Sequence, residues 1–171
     1  MYKFISVLAV CCVTLSCDKT TKTIPIEGIT TLRLVFSQPG GNKLTYEFKD
    51  IDGIGGADPV ADEIRLPPLN VFDCTVELLN ESVTPVKDWS ATVRARADIH
   101  LLLYSATNDV LRFSNLDTDA NGRPLGMKLQ VASKTGSGSM KVVVKHEVDK
   151  TSDNPSATGI TDVEAVFPGK I

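Results

Sequence analysis

The stretch Phe72-Asp73-Cys74-Thr75-Val76-Glu77-Leu78 places an apolar side chain at every second position and a polar one between. Side chains alternate across a strand, so the pattern predicts a strand with one buried face and one solvated face. The same period recurs on both sides. Upstream, Leu32, Leu34 and Phe36 alternate with Thr31, Arg33 and Val35, and Leu44, Tyr46 and Phe48 with Thr45, Glu47 and Lys49. Downstream, the apolar sets are Trp89/Ala91/Val93/Ala95/Ala97, Leu125/Met127/Leu129/Val131, Met140/Val142/Val144 and Val163/Ala165/Phe167. Ile99 to Tyr104 (IHLLLY) is the nearest approach to a helical run, but its length suits a buried strand.

Turn residues separate these runs. They are Gln38-Pro39-Gly40-Gly41-Asn42, Asp50 to Pro59, Pro67-Pro68-Leu69-Asn70, Asp117 to Gly122, and Thr135-Gly136-Ser137-Gly138. No stretch combines a 3.6-residue apolar period with helix caps. About eight or nine short, evenly spaced strands predict an all-β fold. The expectation is an antiparallel two-sheet sandwich, immunoglobulin-like, spanning residues 30–171.

Composition bounds the function. Of 171 residues, 42% are hydrophobic and 23% charged, which excludes the disordered class. The net charge of −3 lacks the basic surplus of a nucleic-acid binder. No apolar run reaches 18 residues, so no spanning helix is expected.

The N-terminus reads as an export signal. Lys3 gives a positive start, and Phe4 to Leu15 runs twelve residues without a charge. Small Ser16 then precedes Cys17, an order that resembles the bacterial lipobox, in which the signal is cut before a cysteine that becomes acylated. Thr14 stands where that pattern usually has Leu. The expected layout is a lipoprotein signal peptide over residues 1–16, lipidation at Cys17, a tether over residues 17–29 and then the sandwich domain. Cleavage takes away one lysine and no acid, which moves the side-chain charge from −3 to −4. Cys11 and Cys12 leave with the signal. Cys74 is then the single thiol, and no intrachain disulfide is expected.

Several segments together resemble a group of small secreted lipoproteins of Bacteroidota-type bacteria, sometimes labelled type 1 periplasmic-binding-fold proteins. They are Asp50-Ile51-Asp52-Gly53-Ile54-Gly55-Gly56, Val76 to Glu81, Ala97 to His100, Asp117 to Gly126, Gly136-Ser137-Gly138, Lys145-His146-Glu147 and Thr161 to Pro168. The resemblance implies a lipid-anchored protein of the cell envelope, in the outer membrane and facing the periplasm or the cell surface. It brings no activity and no catalytic residues. The type 1 periplasmic-binding fold requires two α/β lobes with crossover helices, which this strand-rich chain does not predict.

Few residues offer chemistry. His100 and His146 are the two histidines, both placed at strand ends with no accompanying zinc-type spacing. Cys74 sits in the apolar register of its strand and reads as a small core residue. Gly136-Ser137-Gly138-Ser139 lacks the strand-to-helix context of a nucleophile elbow. The loop Asp117-x-Asp119-x-Asn121-Gly122 begins like a calcium loop, but Lys128 stands where a bidentate glutamate is needed. Asp50 and Asp52 could add carboxylates if both loops met at one end of the sandwich. The alternative is a set of Asx turns around Asn121-Gly122.

The expected function is therefore a membrane-anchored, non-catalytic binding or structural module, with a ligand, glycan or protein as partner. A calcium-dependent adhesion or glycan-binding module is the alternative, and a small hydrolase the third. No cofactor is expected other than calcium.

Overall fold

A computed structural model describes residues 28–53 and 55–171. The expected signal peptide, the expected lipidation at Cys17 and the expected tether up to residue 27 lie outside the described residues.

The chain forms an all-β sandwich of two antiparallel sheets. Its strands are β1 (Thr31–Ser37), β2 (Leu44–Lys49), β3 (Val60–Ala61), β4 (Val71–Asn80), β5 (Lys87–Asp88), β6 (Leu101–Ala106), β7 (Leu111–Ser114), β8 (Lys128–Ser133), β9 (Ser137–His146) and β10 (Ile160–Lys170). One sheet runs β3-β2-β1-β4-β8-β7, with β5 paired to the end of β4. The other runs β10-β9-β6. Lettering β1, β4, β6, β7, β8, β9 and β10 as A to G gives sheets A-B-E-D and G-F-C. That is the strand order of a constant-type immunoglobulin sandwich, with β2 and β3 added beyond strand A.

The period-two reading places the core. Leu32, Leu34 and Phe36 of β1, Phe72, Cys74, Val76 and Leu78 of β4, and Met140, Val142 and Val144 of β9 are all buried. Phe36 packs edge-on against Tyr46 and Phe72, with ring centroids 5.8 and 6.2 Å away. The opposite face of the first sheet is charged. Arg33 stands in register with Glu47 on one neighbour and Glu77 on the other, and bonds both, at 2.6 and 2.8 Å.

The sequence pattern is overturned between Trp89 and Ala97. This segment contains α1 (Ser90–Ala95), not a strand. The Asp88 carboxylate accepts the Ser90 amide at 2.8 Å, and the Ser90 hydroxyl accepts the Leu78 amide at 2.8 Å. These bonds start a helical turn beside β4. Trp89 and Val93 are four apart, and Val93 alone is fully buried. In six residues, a helical pair and a strand alternation use the same letters. Three short strands, β3, β5 and β7, carry too few residues to show a period. Ser137 and Gly138, expected in a turn, begin β9.

Candidate functional site

The sandwich is open along one side, where edge strand β6 of one sheet faces edge strand β7 of the other. A cleft of about 530 Å³ lies there. Its walls are Leu101, Leu103 and Tyr104 of β6, Phe113 of β7, and Leu116 just beyond. The β7–β8 loop supplies Arg123 and Pro124, and the β9–β10 loop supplies Lys150, Pro155 and Ser156.

Each wall has a local cause. Leu102 faces the core, so its neighbours Leu101 and Leu103 face outward by alternation. Leu101 is nevertheless buried, because the β9–β10 loop folds back over this face. Lys145, in register with Leu101, donates from Nζ to the Ser156 carbonyl at 2.8 Å. The β7–β8 loop is fixed to the β6 edge by Leu102 N–H donating to the Leu125 carbonyl at 2.8 Å. The Tyr104 hydroxyl donates to the Gly126 carbonyl, and its ring lies 5.5 Å from that of Phe113. Burial raises the Tyr104 phenol well above its ordinary pKa.

The two cations at the cleft differ. Lys150 Nζ donates to the Pro124 carbonyl at 2.6 Å and lies 3.6 Å from Asp119 Oδ2. Burial pushes its pKa below the ordinary lysine value. Arg123 is half-buried. Its backbone amide donates to Asp119 Oδ1 at 2.9 Å, but its guanidinium has no hydrogen bond or ion pair among the described residues.

The residues singled out for calcium are not brought together. Asp119 Oδ1 accepts the amides of Asn121 and Arg123, both at 2.9 Å. Those backbone bonds, the Arg123 amide foremost, hold its pKa below the usual range. Asp117 Oδ1 accepts the amides of Gly126 and Lys128, at 2.9 and 3.0 Å. Asn121 is exposed, and its amide serves the Asx turn. Asp50 and Asp52 do not join this loop, so the condition for their adding carboxylates is not met. They line a second cleft, of about 670 Å³, with Asn80, Ser82, Asp162 and Glu164. That cleft lies at the far end of β4, whereas Asp117 sits beside its middle. Among the described residues, no three His, Cys, Asp or Glu side chains are grouped to hold a metal.

The histidines do come close to one another. Leu101 pairs with Lys145, so His100 and His146 are the next residues outward on neighbouring strands. Both are buried. His100 Nδ1 lies 2.7 Å from the Arg96 carbonyl oxygen, and His146 Nδ1 lies 2.7 Å from Asp162 Oδ1. Neither histidine lines either cleft. Cys74 is buried in the core, and desolvation pushes its thiol up to about 12.

Sequence reasoning did not find Arg123, Lys150 or the leucine wall. Their setting is assembled from four segments spread over residues 101–156, and no local spacing marks them. Comparison with protein-family models, curated proteins and solved structures returns no match.

Proposed function

We propose that this chain is an exported, lipid-anchored and non-catalytic binding module whose sandwich takes an apolar small molecule in the β6–β7 cleft. One observation carries the reading: a cleft of about 530 Å³ walled by leucine, proline and aromatic side chains. Ligand sites are concave, mostly apolar and about 300–1,000 Å³. Anchoring rests on the Ser16-Cys17 junction at the end of the apolar signal.

Two features weigh against hydrolysis. A general base must reach its substrate, yet the His146 and Asp162 side chains are only 5% and 0% exposed. The sole described thiol is sealed in the core. The calcium-dependent reading is weakened because Asp117 and Asp119 hold their own loop's amides.

The test is fluorescence of the full chain with a neutral naphthylamine probe, which brightens on leaving water. Saturable enhancement is expected, and it should be lost in Leu103→Glu at an unchanged melting temperature. No enhancement, or equal enhancement in the variant, overturns the cleft as a binding site.

A further inference from the structure

We infer that the β6–β7 cleft selects an amphipathic monoanion, a medium-chain carboxylate, with Arg123 as the group that receives its head. The inference rests on the proposed binding function and adds the chemistry of the ligand.

The two cations of this apolar cleft differ in their partners. Lys150 is already compensated. Its ammonium meets the Pro124 carbonyl and the Asp119 carboxylate, with side chains only 3% and 2% exposed. Arg123 has no such direct contact. It lines the same cleft, half-buried, with its guanidinium making no hydrogen bond or ion pair among the described residues. Asp149 feels the charge of Arg123, but its carboxylate is hydrogen-bonded to the amide and hydroxyl of Thr151. Its N–H donors are therefore open to a ligand in the cleft, and a carboxylate matches the guanidinium fork with two parallel hydrogen bonds. The remaining wall offers little else to a polar ligand: the Tyr104 hydroxyl is engaged by Gly126, and that of Ser156 by Asn154.

One cation without a direct ion pair sets the ligand charge. A monoanion neutralises Arg123, whereas a dianionic phosphate monoester would leave a negative charge against leucine and proline. The ligand body follows from Leu101, Leu103, Phe113, Leu116 and Pro155, whose side chains carry no polar atom and favour a hydrocarbon chain. Each methylene buried there should tighten binding roughly fourfold.

The experiment is calorimetric titration of the full chain, carrying Cys17→Ser to prevent acylation, with decanoate, decanol and decyl phosphate. One decanoate per chain is expected, bound at least about tenfold tighter than decanol or decyl phosphate. Arg123→Gln should abolish that preference, leave decanol binding within about twofold, and keep the melting temperature. Leu103→Trp, which fills the cleft, should weaken all three ligands. Equal binding of decanoate and decanol, unaffected by Arg123→Gln, would overturn the inference and leave the apolar binding function standing. Tighter binding of decyl phosphate would overturn the choice of a monoanion. Binding of none of the three would remove both the inference and the function beneath it.

Discussion

His146 Nδ1 lies 2.7 Å from Asp162 Oδ1, and a bulge in β10 is what allows the two to meet. The register between β9 and β10 slips between Thr161 and Val163. Strict alternation would turn Asp162 outward with Glu164. The extra residue rotates Asp162 to the buried side, where His146 meets it.

This contact predicts a sharp asymmetry between neighbours. Asp162→Ala removes a buried acceptor and strands the His146 ring, at a cost of about 1–3 kcal/mol. Thr161→Ala, one residue earlier and exposed, should stay within about 0.5 kcal/mol. Denaturant unfolding measures both. Equal effects would mean that the dyad contributes nothing to stability.

The bulge also marks where sequence reading stops. Alternation located Leu32, Leu34, Phe36, Phe72, Cys74, Val76 and Leu78 on the buried side because burial of one sheet face demands it. It missed Asp162 because an inserted residue leaves no compositional trace. It misread Trp89 to Ala97 because α1 is fixed by hydrogen bonds accepted by the Asp88 carboxylate and the Ser90 hydroxyl, not by an apolar stripe. The cleft was illegible for another reason. Leu101 and Leu103 read as part of a buried strand, and nothing in their local spacing singles out Arg123 or Lys150. Only the folding of two long loops over β6 brings them together.

Cys74 should be inert in the folded protein. Desolvation pushes its thiol up to about 12, so thiolate is scarce at neutral pH. A disulfide reagent at pH 8 should label it at least about a thousandfold slower than an exposed thiol, and at the ordinary rate after unfolding. Rapid native labelling would contradict the packing of β4 against β9.

The Asp117–Gly122 loop should behave as a turn. Calcium titration of the full chain should give no heat and no change in melting temperature. Asp117→Ala/Asp119→Ala should lower the melting temperature without calcium, because four loop amides lose their acceptors. Acid should act in the same direction. Asp119 has a depressed folded-state pKa, so its stabilisation is complete above the ordinary carboxylate value of about 3.9 and is lost as pH falls through the depressed value. Micromolar calcium binding, lost in the double variant, would restore the calcium-dependent reading.

Lipidation at Cys17 predicts incorporation of a fatty-acid analogue in cells, lost in Cys17→Ser. One acyl chain gives only marginal membrane binding, so stable anchoring of this acidic domain needs the several chains of a bacterial lipoprotein. Membrane fractionation should follow the label, with Cys17→Ser released to the soluble fraction. Equal labelling of both proteins would refute the anchor.

Gly126 and Gly122 provide a matched pair within one loop. Both have positive φ, +92° and +77°, which disfavours any side chain. They differ in surroundings. A Cβ on Gly122 would meet nothing within 4 Å. A Cβ on Gly126 would lie 2.9 Å from the Leu102 carbonyl oxygen and 3.2 Å from the Tyr104 ring. Gly122→Ala should therefore show the backbone cost alone, about 1 kcal/mol. Gly126→Ala adds a clash with the β6 backbone, which cannot swing aside because Leu102 is tied to Leu125 at 2.8 Å. Its loss should reach about 2–3 kcal/mol. It should also displace Tyr104, whose hydroxyl is held by the Gly126 carbonyl, and so weaken decanoate binding, which Gly122→Ala should leave intact. Equal stability losses and unchanged binding in both variants would show that the β7–β8 loop does not press on β6, and would remove one wall of the cleft.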